Sequence, residues 1–308
     1  MRLGQQLGTY RPSIHGNHWD TTLAAALACE EAGLDSIWLA DHFMFPDRAQ
    51  PAKEVPVFDC FVALAAIAAR TSRIRLGELV VGVPYRNPAL LAKMLTTLDV
   101  VAHGRTIIGL GAAWHDEEFG AYGWPFPPVR ERMAMLEEAV QIVDRLLTQR
   151  PANFAGQHYS VTDAYNDPPP VQQPRPPIMI GGSGERRTLR LVAQYADFCN
   201  VGGDPPTVAH KFGVLREHCE RVGRPYDAIT RSNDVGILIA ADAQELTAKK
   251  ARYGEAYDLV GTPEAIIAGL HRYAEVGSQY VTFHMPDAQE ITPIRLLGEA
   301  VVPAVGGF

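Results

Sequence analysis

Ser36-Ile37-Trp38-Leu39-Ala40-Asp41-His42-Phe43 is the stretch on which the reading of this chain turns. The apolar run from Ile37 to Ala40 follows the helix-ending Gly33 and stops at a carboxylate, an imidazole and an aromatic ring. A short apolar run bounded by turn residues is a strand buried on both faces. Polar groups at the C-terminal end of such a strand stand where open α/β sheets and β/α barrels place their chemistry. Taken alone, the stretch fits equally well with Asp41 as a cap and His42 as a packed, half-buried ring.

The same pattern recurs along the chain. Strands are expected at 3–7, 36–40, 74–83, 105–110, 178–180, 198–201, 235–240 and 280–285. Helices are expected at 20–32 with Asp20 as N-cap, then at 59–70, 87–102, 129–147, 186–195, 205–222, 243–253, 263–276 and 293–301. Strict alternation implies parallel strands joined by right-handed crossovers. Eight such strands without a break imply one α/β domain over 1–308, a closed (β/α)8 TIM barrel with insertions after strands 2, 3 and 4. A doubly wound open sheet is the alternative. The segment at about 150–177 is the least regular. Its prolines, Pro168, Pro169, Pro170, Pro174, Pro176 and Pro177, forbid a helix or a central strand, leaving room for a short hairpin near Tyr159. This insertion and the Pro-rich loop at 45–56, long enough for a lid, are the expected shapers of a pocket.

Composition narrows the function. The 308 residues are 47% hydrophobic and 20% charged, with a net charge of -7, which argues against nucleic acid or an anionic membrane as partner. The apolar runs are too short to span a bilayer. No signal peptide is expected, because structure begins at once. Cys29, Cys60, Cys199 and Cys219 form no CxxC pair, as suits a reducing cytoplasm. No metal site is expected either. HxH and HExxH are absent, His103, His210, His218 and His271 read as surface residues, and the acids Asp116-Glu117-Glu118 beside His115 read as solvated or as complementing a helix dipole. The GxSxG elbow of an α/β-hydrolase is absent as well.

Three strand ends carry chemistry: Asp41-His42-Phe43, Gly109 to Trp114, and Gly181-Gly182-Ser183-Gly184. The last has a direct physical reading. Glycines allow close backbone approach, and the N–H groups opening the following helix favour an anion. Strand, glycine turn and helix therefore suit a phosphate, with Ser183, Arg186 and Arg187 at hand. A tight turn needing glycine for its conformation alone is the other reading. Neither the P-loop nor the complete GxGxxG pattern is present.

Four strings in register resemble the luciferase-like monooxygenase superfamily, and more closely its branch that uses the deazaflavin coenzyme F420. They are residues 38–43 (WLADHF), 76–88 (LGELVVGVPYRNP), 109–114 (GLGAAW) and 178–185 (IMIGGSGE). The resemblance implies a (β/α)8 barrel, a small-molecule substrate and a homodimer. It implies that His42 lies beside the deazaflavin and donates or accepts a proton, and that Asp41 contacts the ring system. It implies a non-prolyl cis peptide at Leu79-Val80 behind the ring, and a coenzyme phosphate on Gly181, Gly182, Ser183 and Gly184. Gly82, Gly111 and Trp114 complete the expected cofactor set. Trp114 stands where sugar-phosphate dehydrogenases of this branch carry a catalytic glutamate, with Glu117 and Glu118 nearby, and this puts a sugar phosphate in doubt. The expected activity is hydride transfer between coenzyme F420 and an organic substrate. The alternatives are an FMN-dependent monooxygenase of the same superfamily and a non-catalytic flavin or deazaflavin carrier.

Overall fold

A computed structural model describes residues 1–8, 17–46 and 54–308. Residues 47–53 of the expected lid loop and 9–16 of the 8–18 loop lie outside the described residues, and the ends of the lid loop, Phe45–Pro46 and Glu54–Val55, pair antiparallel. Eight parallel strands close on themselves: β1 Arg2–Leu7, β2 Ser36–Leu39, β3 Arg75–Glu78, β4 Thr106–Gly111, β5 Ile178–Gly181, β6 Phe198–Gly202, β7 Thr230–Ile239 and β8 Tyr280–His284. Each pairs with the next, and β8 pairs back to β1 through Arg2 and Tyr280. The outer layer includes α1 His18–Glu31, α2 Cys60–Ala68, α3 Pro88–Val101, α4 Asp116–Ala121, α5 Val129–Thr148, α6 Thr188–Tyr195, α7 Pro205–Val222, α8 Ala243–Tyr253 and α9 Pro263–Glu275.

Local signals account for most boundaries. Asp59 caps α2 by accepting from the Val62 amide, and Asn87 caps α3 ahead of Pro88. Helix α1 is capped by Asn17 rather than Asp20, which lies in its first turn and donates its amide to the Asn17 side chain. Strand β7 begins earlier than the apolar run suggests, because Ser232 and Asp234 point into the barrel and interrupt the hydrophobic pattern. A further strand, Leu259–Gly261, extends β7 in parallel between α8 and α9.

The insertion at 149–177 forms the hairpin Ala152–Ala155 with Ser160–Ala164 on the outside of α5. Its proline-rich part crosses the end of the barrel opposite the strand C-termini. There Gln172 donates to the carbonyl of Thr106, the first residue of β4, and Arg175 pairs with Asp197 just ahead of β6. This part therefore shapes the floor end of the barrel and not the active rim.

The pairing register sets what points inward, since side chains alternate and alternate strands fill each layer. At the lower end Trp38, Ile107, Met179, Phe198 and Tyr280 form one buried cluster, with Leu79 packed on it. Asn200 and Thr282 meet above them, joined by a 2.9 Å hydrogen bond. The next inward positions are Gln6, Leu79, Gly181 and Asp234, and the uppermost are Ala40, Gly111, Gly202 and His284.

Strand β3 ends at a cis peptide between Leu79 and Val80, as the family likeness implied, and Val81–Gly82 then pairs with Leu110 and Gly111 of β4. The Val80 side chain lands between β4 and β5. A Cβ at Gly111 would lie 2.6 Å from Val80 Cγ2, and one at Gly181 would lie 2.9 Å from Val80 Cγ1. A Cβ at Gly109 would sit 1.9 Å from the Glu78 carbonyl oxygen. These glycines leave room for one valine. Gly111→Ala should destabilise the protein by about 1–3 kcal/mol through overpacking. Combining it with Val80→Ala should recover about 1 kcal/mol relative to the summed single losses in urea unfolding. Strict additivity would show that Val80 is not the obstacle.

Candidate active site

The ends of β2, β3, β4 and β5 are four consecutive neighbours, so all the expected site residues gather on one arc of the rim. Asp41 is buried. Arg86 grips it with two bonds of 2.6 and 2.9 Å, and the Gly82 amide donates to it at 3.2 Å. Such a bidentate pair fixes both orientation and distance. Arg86 lies over the rings of Phe43 and Phe61 and also reaches Asp59. Burial alone would depress its basicity, but Asp41 more than offsets this and holds the guanidinium above its ordinary value. Asp41 thus ties the end of β2 to the turn after β3.

His42 is held by Glu118, whose Oε2 lies 3.2 Å from its Nδ1. Glu118 is fully buried and also accepts from the amides of Phe43 and Met44 and from the Tyr85 hydroxyl. Burial opposes its ionisation, yet the donors from Tyr85, Met44, Phe43 and His42 outweigh that and keep the carboxyl below its ordinary range. The Tyr85 hydroxyl is pushed up by burial and by Glu118. The acids at 116–118 therefore divide. Glu117 is 78% exposed, as expected of a solvated run, whereas Glu118 is not. The short helix α4 turns Glu118 and Phe119 inward together.

Trp114 is 62% exposed and stacks on His115 with centroids 5.1 Å apart, and both rings meet His42 edge-on. Phe43, Tyr85, Phe119 and Trp124 pack as an aromatic block behind Glu118. His42, His115 and Glu118 bring one possible ligand atom each within 4.8 Å of one another, so two members of the run at 115–118 are joined by His42. Both Glu118 oxygens already accept protein donors, so a metal there would have to displace them.

At the end of β5, Gly182 has φ +119° and Gly184 approaches Thr188 so closely that a Cβ would lie 2.8 Å from its Oγ1. The glycine turn thus leads tightly into the start of α6. Ser183 Oγ accepts from the Gly202 amide, and the Gly182 amide donates to the Asn200 carbonyl, so both residues brace the turn on β6. Glu185 pairs with Lys211 at 2.6 Å and lies 3.0 Å from His210 Nε2, which brings a lysine beside the turn. His218 is buried rather than on the surface, its Nε2 lying 2.7 Å from the Glu185 carbonyl oxygen.

Behind the rim, Glu78 is fully buried, and neither carboxylate oxygen has a hydrogen-bond partner among the described residues. Burial pushes its carboxyl up to about 8. A cavity of about 520 Å³ lined by Phe212, Arg216, Arg224, Tyr226 and Arg231 lies at the other end of the barrel, beside the start of β7, and is remote from this chemistry.

An α/β barrel with its polar groups collected at four adjacent strand ends has the architecture of an enzyme. The sequence profile of the luciferase-like monooxygenase family matches residues 1–275, and the chain belongs to that family. Over 318 residues it is 28% identical to the F420-dependent glucose-6-phosphate dehydrogenase of Kineococcus radiotolerans, covering 90% of each chain. It is 24% identical to the enzyme of that name from Amycolatopsis mediterranei, covering 90% of this chain and 92% of the other. Its fold matches an F420-dependent secondary alcohol dehydrogenase in complex with an F420-acetone adduct, with a TM-score of 0.81 and 20% identity, covering 99% of this chain and 98% of that one. It also matches the EDTA monooxygenase of a Chelativorans species, with a TM-score of 0.83 and 16% identity, covering 98% and 93%. Among the described residues no helix is long and apolar enough to cross a membrane.

The Glu78 carboxyl gives a test with a definite sign. With a folded value of about 8 against an ordinary 4.5, the folded chain holds a proton that the unfolded chain has released. Stability should therefore fall as pH rises across that window, by up to about 1.4 kcal/mol per unit. Glu78→Gln should flatten this slope and raise the melting temperature at the alkaline end. A slope that survives the substitution would place the proton on another group.

Proposed function

We propose that this protein is an oxidoreductase that uses coenzyme F420 to exchange a hydride with a small organic substrate. The carrying observation is His42, fixed on the rim through Nδ1 by a buried carboxylate that three other donors hold in place. Relatives named for F420-dependence cover nine-tenths of the chain and support the same reading.

The residues present fit such a coenzyme. The Val80 side chain fills the room left by Gly111 and Gly181 and would form the floor beneath the ring. Gly182, Ser183 and Gly184, opening toward the N-terminus of α6 beside Lys211, suit its phosphate. Trp114 offers an aromatic wall, while Asp41 and Gly82 act by fixing the rim behind it. When bound, the deazaflavin supplies two-electron hydride chemistry.

The chain's own part is proton management. With Nδ1 turned to Glu118, the Nε2 of His42 is the atom that gives or takes the substrate proton. Trp114 and His115 pack edge-on against the imidazole on one side. The family likeness extends the proposal to a cytoplasmic homodimer. An FMN-dependent monooxygenase is the second reading, since the likeness to the EDTA monooxygenase extends over nearly the whole fold.

His42→Ala should lower turnover by about a hundredfold or more, the contribution expected of a positioned acid or base. Its coenzyme dissociation constant, read by fluorescence titration, should stay within a factor of about two, a change below 0.5 kcal/mol. An equal loss of affinity and turnover would make His42 a binding residue instead.

A further inference from the structure

On the arc of the rim that β2 to β5 leave open, the inward positions of β7 and β8 are acidic and hydrogen-bonding. Asp234 points inward in the layer of Gly181, and His284 in the layer of Gly111, so both face the space the rim encloses. Asp234 Oδ1 accepts from Thr282 Oγ1 at 2.7 Å, and that hydroxyl in turn accepts from Asn200 Nδ2 at 2.9 Å. The relay locks the carboxylate with one oxygen used. Among the described residues, Asp234 Oδ2 and the ring nitrogens of His284 have no hydrogen-bond partner. Asp258 adds a second carboxylate at the edge of β7, held by the Gly236 amide at 2.7 Å.

Burial pushes the Asp234 carboxyl above its ordinary range, and Asp258 adds to this, against the Thr282 hydrogen bond and His284. Its charged form is short of donors. No lysine or arginine occupies an inward position in the two upper layers, which are Gln6, Leu79, Gly181, Asp234, Ala40, Gly111, Gly202 and His284. A phosphate ester needs cations or a cluster of N–H donors. Apart from an N–H of His284, this wall offers acceptors and the carboxyl groups of Asp234 and Asp258.

We infer that Asp234 and His284 are the substrate-selecting residues, that they take an uncharged, hydroxyl-bearing molecule, and that they turn away sugar phosphates. The inference rests on the proposed oxidoreductase reading and narrows its substrate class. It separates this chain from relatives whose name specifies glucose 6-phosphate. A neutral hydroxyl supplies the donor that Asp234 lacks and brings no charge to be repelled.

The test is a calorimetric titration of glucose 6-phosphate into the F420-loaded protein, repeated without coenzyme. Wild type should bind it no tighter than about 1 mM, the weak end of the affinity scale. Asp234→Asn should tighten binding about threefold and Asp234→Lys about tenfold, as expected for removing and reversing one charge at about 6 Å in a water-like medium. The Asn variant keeps the side chain's size and guards against loss of the fold. Tight wild-type binding, or equal affinities in all three proteins, would overturn the inference. Failure of the coenzyme to bind would remove the proposed activity instead, and the coenzyme-free titration would still read the charge of the wall.

Discussion

One buried carboxylate holds the rim together. Glu118 gathers the Phe43 and Met44 amides after β2, the Tyr85 hydroxyl after β3 and the His42 ring, while its own helix follows β4. A buried charge is tolerable only when its lone pairs are occupied, and here each oxygen accepts two donors. Three loops that share no sequence proximity are thereby fixed relative to one another. The Asp41–Arg86 pair makes a second tie between the ends of β2 and β3. Together they give His42 a fixed place on the rim.

The packing at the ends of β4 and β5 follows from a different constraint. Val80 projects across β4 and β5 only because positions 109, 111 and 181 carry no side chain. In the sequence these glycines fall in separate strings and look like turn or phosphate signals. In space, Gly111 and Gly181 are two contacts of one valine, and Gly109 adds a close approach to the backbone of Glu78. The glycine turn at 182–184 differs, since positive φ and close approach to Thr188 both bear on it. A single barrel thus uses glycine for packing on one strand end and for conformation on the next.

Much of this was legible before any coordinates. Apolar runs ending in Gly, Asp or Pro gave the strand count and hence the closed barrel, and Asn87-Pro88 and Asp59 marked helix starts where they are found. The break at Leu79-Val80 followed from family likeness and not from local pattern. What escaped were facts that exist only in three dimensions. Glu118 looked like part of a solvated run because helix direction decides which acid turns inward. Asp234 lay ahead of the expected strand because inward polar residues hide a strand's hydrophobic signature. The grip of Arg86 and Gly82 on the Asp41 oxygens is likewise a partnership no spacing announces. The proline-rich insertion looked like a pocket wall until its bonds to the start of β4 placed it at the far end.

The central claim is that this rim is built for a deazaflavin. It is tested most directly by equilibrium dialysis of the purified protein against equal concentrations of coenzyme F420 and FMN, followed by spectroscopic identification of what is retained. The account predicts retention of F420 with at least about tenfold preference over FMN, a difference of roughly 1.4 kcal/mol. Retention of FMN in its place, or of neither, would contradict it.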